Sequence, residues 1–259
     1  MKEIKTCVVT GYGINADIEL VEAFRLAGSH AERVHINDLI ENPKFLDSYR
    51  IVAFPGGFSF GDHIGSGKVF ANLFKRRLKI ALSDFFDRGN LVIGICNGFQ
   101  VLVKMGILPN LEGGWDQEVS LIHNDSGKFE DRWVTCGFES GSPCVWTKGL
   151  DNMELPIRHG EGKFIILSED VEKSVLDGKL VAVFYKPRST ADCSYPDNPN
   201  GSSHNIAGIC DASGRIFGLM PHPEAFIFPE HHPRWTREKI EEASGRRIFI
   251  NAVEYLEKN

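Results

Sequence analysis

The 259-residue chain is short of most features that announce a function directly. Its six cysteines (Cys7, Cys96, Cys136, Cys144, Cys193, Cys210) form no CxxC pair and no zinc spacing, which fits a reducing compartment and no disulfide framework. The net charge is −6 and no basic stripe occurs, since Lys75-Arg76-Arg77 and Arg246-Arg247 fall in helical patterns as solvated faces. A nucleic-acid partner is therefore not expected. No apolar run approaches the ~20 residues that span a bilayer, and the chain enters its first strand with no signal peptide, so a cytoplasmic location without a membrane partner is expected. There is no P-loop, no internal repeat and no low-complexity segment. Alternating strand and helix signals fit one α/β domain over residues 1–259, with 226–259 as a C-terminal extension and helix.

What is present is organised around Asn90 to Gln100. Asn90 to Ile95 is an almost uninterrupted apolar run, suited to a strand buried on both faces of a parallel sheet. Phe99, Val101, Leu102, Val103 and Met105 then read as a short buried helix ended by Gly106. Between the two lies Gly94-x-Cys96-x-Gly98, the strand-to-helix elbow pattern with cysteine as nucleophile. A strained turn at that point leaves no room for side chains two residues to either side. The cysteine also meets a helix N-terminus, which favours thiolate. The alternative is a small buried core cysteine between incidental glycines.

Earlier in the chain, Lys5 to Thr10 reads as a strand, and Ile18, Val21, Phe24 and Leu26 mark a helix closing at Gly28. The intervening Gly11-x-Gly13-x-x-Ala16 matches a permissive dinucleotide fingerprint. The acid expected after the second strand, Ala31 to Ile36, is however replaced by Asn37, and a tight turn explains the glycines equally well. Arg50 to Phe54 is a third strand running into Pro55-Gly56-Gly57-Phe58-Ser59-Phe60-Gly61-Asp62, which is either an ordinary turn or a loop at the end where open α/β sheets place their sites. In elbow hydrolases such a loop supplies one oxyanion donor, and the residue after the nucleophile, here Asn97, supplies the other. Val69 to Arg88 reads as one helix.

Beyond Gly106 the pattern shifts to short strands at Glu118 to His123, Arg132 to Phe138, Glu154 to Arg158, Lys163 to Leu167 and Val181 to Lys186. His159 and Glu161 in His159-Gly160-Glu161-Gly162 lack a third ligand, so no metal site is expected. Ile206 to Cys210 and Arg215 to Met220 form a hairpin leading to Pro221-His222-Pro223-Glu224. Pro223 holds His222 extended, so His222 and Glu224 share a face, as a base and its orienting carboxylate would. Such a pair also occurs as a plain surface turn. Thr236 is a candidate N-cap for a final helix, interrupted at Gly245 and carrying Ile248, Phe249, Ala252, Val253 and Leu256 on its apolar stripe.

Cysteine elbow, glycine loop and His-x-Glu in this order resemble the triad (class I) glutamine amidotransferases. Pro55 to Asp62, Gly94 to Gln100, His159 to Phe164, Asn198-Pro199-Asn200-Gly201-Ser202 with Asn205 to Cys210, and Met220 to Glu224 are similar to the glutaminase subunits of phosphoribosylformylglycinamidine synthases. Two departures stand out. Ala225 occupies a position where that family often has arginine, and Phe226 to Trp235 has no counterpart in it. The latter is read as a docking element or a lid.

The resemblance implies a three-layer α/β domain with a mostly parallel central sheet, a cysteine nucleophile elbow and an additional small antiparallel sheet. It implies L-glutamine as substrate and a triad of Cys96, His222 and Glu224. Backbone N–H groups of Gly57 and Asn97 would form the oxyanion hole, with Gln100 and Phe58 at the substrate. No cofactor is expected in this chain; ATP and Mg belong on a large synthetase subunit, joined by a small bridging subunit. An amidotransferase for another acceptor, a stand-alone cysteine-elbow hydrolase and a non-catalytic binding domain are the alternatives.

Overall fold

The computed structural model describes residues 3–188, 192–240 and 242–259. In chain order its elements are β1 (Lys5–Thr10), α1 (Asp17–Leu26), β2 (His30–His35), α2 (Ile36–Glu41), β3 (Ile51–Phe54), α3 (Lys68–Arg77), α4 (Lys79–Asp87), β4 (Leu91–Ile95), α5 (Asn97–Met105), β5 (Val119–Ile122), β6 (Glu130–Phe138), β7 (Asn152–His159), β8 (Lys163–Ile166), α6 (Glu169–Asp177), β9 (Val181–Tyr185), β10 (Ile206–Cys210), β11 (Ile216–Leu219) and α7 (Arg246–Lys258). Several short 3₁₀ turns link them.

The large sheet has the order β2-β1-β3-β4-β11-β10-β9-β6-β7. Its first five strands pair in parallel, and β3 and β4 are buried at every position, as uninterrupted apolar runs require. The remaining pairings are antiparallel. Among the described residues only β10 and β6 run against the common direction. The connection β1-α1-β2 moves one way along the sheet and β3 to β4 moves the other. With right-handed crossovers, their helices therefore fall on opposite faces, giving three layers. The site lies at the C-terminal ends of β3, β4 and β11, with the loop after β1 beside it, next to the reversal between β1 and β3.

Two expectations need correction. The helix expected over Val69 to Arg88 is two helices, broken at Leu78 (φ −126°, ψ 5°). Thr236 caps no helix; α7 begins at Arg246 with Gly245 before it. Glu241, inside that expected helix, lies outside the described residues. The expected additional small antiparallel sheet is present as the pair β5 and β8, while β6, β7 and β9 extend the large one. Apolar alternation marks a strand but says little about which distant strand it joins.

The segment after Glu224 is packed down rather than free. His232 is buried against Trp133 and Phe226, with ring centroids 4.9 and 5.6 Å away, and its Nε2 lies 3.1 Å from Glu154 Oε2. Further on, α7 packs Phe249 edge-on against Phe24 of α1 at 5.0 Å, and both are fully buried. Phe249→Ala should therefore cost about 3–5 kcal/mol, read as a lower midpoint in urea with an unchanged slope. A loss below 1 kcal/mol would mean that α7 is not part of the core.

Candidate active site

Strand β4 ends at Ile95, and Cys96 then adopts φ 52°, ψ −105°, a conformation that a residue with a Cβ occupies only under strain. The turn is sharp because α5 starts against β3: a methyl group on Gly98 would stand 1.9 Å from the Phe54 carbonyl oxygen. Cys96 N–H donates to Leu219 O at the end of β11 (2.8 Å), and Gln100 N–H donates to Cys96 O (3.1 Å). The thiol is thus fixed at a helix N-terminus, 6% exposed, with Sγ 3.6 Å from Arg158 O.

His222 follows β11, and its main-chain N–H donates to Pro156 O of β7 at 2.8 Å. Its Nδ1 lies 2.6 Å from Glu224 Oε1, and both side chains are buried. Nε2 has no hydrogen-bond partner among the described residues, and the ring shares with Cys96 a cavity of about 130 Å³. Asn15, Gly57, Phe58, Phe129 and Arg158 complete its lining. Desolvation alone would push the imidazole pKa down. The Glu224 charge, and then Cys96, outweigh it and raise the value to about 10. The ring is therefore held in its protonated form.

The remaining candidate residues divide into two groups. Gly57 (φ 150°) and Phe58 line the cavity. Around Gly57, Asn15 N–H donates to Gly56 O (3.4 Å) and Phe58 N–H to Gly13 O (2.9 Å). No hydrogen bond among the described residues engages the Gly57 N–H, and Asn97 N–H is in the first turn of α5, where no intrahelical acceptor exists. Gln100 is buried and committed elsewhere: Nε2 donates to Glu161 O (2.6 Å) and Oε1 accepts from Asn97 Nδ2 (3.1 Å). It ties the elbow helix to the His159–Gly162 loop rather than lining the cavity.

The glycines that mimic a dinucleotide fingerprint are spent on packing. A methyl on Gly13 would lie 2.2 Å from Phe58 O, and one on Gly57 would lie 2.8 Å from Gly13 O. The first loop therefore buttresses the second.

Sequence reasoning missed several contributors. Gly56 touches the triad directly, since a Cβ there would stand 2.8 Å from His222 Cε1. Arg158 brings its guanidinium to within 3.2 Å of His222 Nδ1; its one signal was a charge ending the apolar run of β7. Asn124 secures the loop after β7, accepting from His159 Nδ1 (3.1 Å) and from Gly162 N–H (2.9 Å). Asn200 holds the same loop by donating to Gly162 O (2.8 Å) and Tyr185 Oη (3.0 Å). That bond explains the Asn198–Ser202 motif structurally. His159 itself is buried, and desolvation, then the His222 charge, depress its pKa to about 3.

The chain is similar to known proteins over nearly its whole length. The chain matches the CobB/CobQ-like glutamine amidotransferase domain over residues 3–256. It is 45% identical over 257 residues to the phosphoribosylformylglycinamidine synthase subunit PurQ of Dehalococcoides mccartyi, covering 98% of both chains. A Methanococcus maripaludis protein of the same name is 42% identical, again over 98% of both chains. Among solved structures, one chain of PurLQS from Thermotoga maritima superposes with a TM-score of 0.73 at 28% identity, over 98% of this chain and 99% of that one.

Two outcomes follow from the geometry. Limited iodoacetamide should label Cys96, which opens on the cavity, ahead of the others: burial pushes the thiol pKa of Cys7 and Cys136 far up, Cys144 and Cys210 are 2% and 0% exposed and do not line that cavity, and desolvation raises the partly buried Cys193. Gly56→Ala should slow Cys96 labelling by displacing the imidazole, on the order of 10²-fold for a 1 Å shift. First labelling of Cys193 would refute the assignment of the reactive thiol. The second outcome concerns acid stability. Unfolded histidine takes a proton near pH ~6.5, whereas folded His159 resists to about 3. The unfolded chain then binds more protons, so stability present above pH ~6.5 is lost as pH falls toward 3. His159→Gln should flatten the slope of stability against pH in urea melts between those limits; equal slopes would contradict it.

Proposed function

The chain belongs to the CobB/CobQ-like glutamine amidotransferases and, within them, to the PurQ subunits of phosphoribosylformylglycinamidine synthase, and on that premise we propose that it hydrolyses glutamine at Cys96 and delivers the ammonia to a synthetase subunit. One observation carries the reading. Cys96 and His222 line a single small cavity, and Glu224 sits 2.6 Å from the imidazole nitrogen that faces away from the thiol.

The chemistry runs as follows. Cys96 Sγ, its proton held by His222, attacks the side-chain amide carbon of glutamine. Charge gathers on the amide oxygen, where the N–H groups of Gly57 and Asn97 stabilise it; one such donor is worth ~10²–10³ in turnover. His222 protonates the amide nitrogen, the C–N bond breaks, and ammonia leaves a thioester on Cys96. Water, deprotonated by His222, adds to the thioester and releases glutamate with the thiol restored. Glu224 keeps the Nδ1 proton in place, so that Nε2 faces the reacting atoms. Phe58 and Phe129, tilted 33° to each other with centroids 6.2 Å apart, wall the substrate. Gln100 acts from outside the cavity by fixing the Glu161 loop.

The complex has three parts on this reading: the glutaminase, a large synthetase subunit and a small bridging subunit. ATP and Mg are used on the synthetase, which converts formylglycinamide ribonucleotide to the amidine in purine biosynthesis. Ammonia must arrive there unprotonated, because ammonium has no lone pair. No helix among the described residues is long and apolar enough to cross a membrane, and a cytoplasmic location accords with this chemistry.

The division of labour gives the test. In the assembled complex, Cys96→Ala should abolish glutamine-dependent synthesis and leave synthesis from added ammonium salt intact. His222→Ala should behave the same way, and Glu224→Ala should lose less. If Cys96→Ala assembles correctly yet loses the ammonia-dependent reaction as well, the separation of sites is wrong.

A further inference from the structure

Arg158 takes no part in the steps above, yet its guanidinium stands against the triad from β7. Nη2 is 3.1 Å from Glu19 Oε2 on α1, 3.2 Å from His222 Nδ1 and 3.9 Å from Glu224 Oε1. Arg158 lines the Cys96 cavity and also a second cavity of about 460 Å³ on the far side of Glu224, where Glu19, Glu22 and Ala225 are found.

A guanidinium has donors only. While a proton lies between Nδ1 and Glu224, Arg158 cannot hydrogen-bond that nitrogen, and two cations face each other at 3.2 Å. Such a contact disfavours the imidazolium. Glu19, on the outer side, offsets part of the guanidinium charge, and Glu224 attracts it from the inner side at 3.9 Å. The groups facing His222 are Glu224 from its own turn, Cys96 from the elbow, and Arg158 and His159 from β7, with Glu19 behind Arg158. Of these, Arg158 is the one fixed positive charge.

We propose that Arg158 is a positioning residue of the triad: anchored by Glu19, it weakens the imidazolium that Glu224 supports, so that the Nε2 proton of His222 passes readily to the departing ammonia. The inference rests on the Cys96–His222–Glu224 reading. In the covalent step the proton moves from His222 Nε2 to the amide nitrogen, and the C–N bonding pair leaves with that nitrogen. Arg158 changes only how readily the imidazolium gives the proton up.

The test is the pH dependence of kcat/KM for glutamine in the assembled complex, whose alkaline limb reports loss of the imidazolium proton. Removing the cation should strengthen the imidazolium. Arg158→Gln should therefore move that limb up by about one pH unit, with a lower kcat, and Arg158→Lys should move it less. Glu19→Gln leaves the guanidinium less compensated and should move the limb the opposite way, by about half a unit. Limbs unmoved in all three variants, with only the melting temperature lowered, would make Arg158 a structural ion pair and overturn the proposal. If Arg158→Gln does not fold, Glu19→Gln decides alone, because Glu19 is a half-exposed helix residue. Survival of glutaminase activity in Cys96→Ala would be a different failure, that of the triad itself.

Discussion

The site depends on how closely the start of α5 approaches β3. With a hydrogen in place of a side chain at Gly98, the helix can begin against the Phe54 carbonyl, and β4 can turn into it within one residue, Cys96. A wider approach would lengthen the turn, relax Cys96 out of its left-handed conformation and withdraw the thiol from the helix terminus. The same device recurs where Gly13 and Gly57 interlock and where Gly56 meets the imidazole. Strain at Cys96 persists because packing on several sides fixes the backbone around it.

Two neighbouring histidines then show how environment separates otherwise identical groups. His222 and His159 are both buried, and burial alone drives each toward the neutral form. His222 has a carboxylate at 2.6 Å and stays charged. His159 has an amide oxygen at 3.1 Å, which carries no net charge to offset desolvation, and the His222 cation opposes it further. Opposed protonation states in adjacent groups are the usual mark of a site that moves protons. Here the neutral member serves the loop architecture and the charged one faces the thiol.

The elbow and the His-x-Glu pair were legible in the sequence because each is a local device: a glycine spacing fixed by a turn, a proline fixing the geometry before it. The parallel half of the sheet was legible too, since strands buried on both faces leave apolar runs. The break at Leu78 was not, because the apolar spacing of Phe70, Phe74, Leu82 and Phe85 continues across it. Nor was the fate of β6, β7 and β9: alternation fixes a face but not a partner. Gln100 was expected at the substrate from its position one turn after Cys96. That spacing could not reveal that the carbonyl of Glu161, 61 residues on, occupies its amide. Arg158 carried the weakest signal, since its neighbours come from α1 and from the turn after β11.

The antiparallel half of the sheet explains why those neighbours meet at all. In sheet order β7 lies at the far edge, separated from β11 by β10, β9 and β6. Yet Pro156 of β7 bonds the main chain of His222, just past β11, and the Arg158 carbonyl lies over the Cys96 thiol. The added strands must therefore curl back over the elbow, which twisted antiparallel pairs allow. Curling also gives the main chain of edge strand β7 a partner within the molecule instead of leaving it free to pair with another chain. The contact between Cys96 and Arg158 spans 62 residues, and that between Arg158 and His222 spans 64. Contacts of such separation cost more chain entropy to close than the local β4–α5 turn. The bond from Cys96 N–H to Leu219 O is longer-range still, so the nucleophile and the groups that handle its proton are alike completed only by long-range pairing.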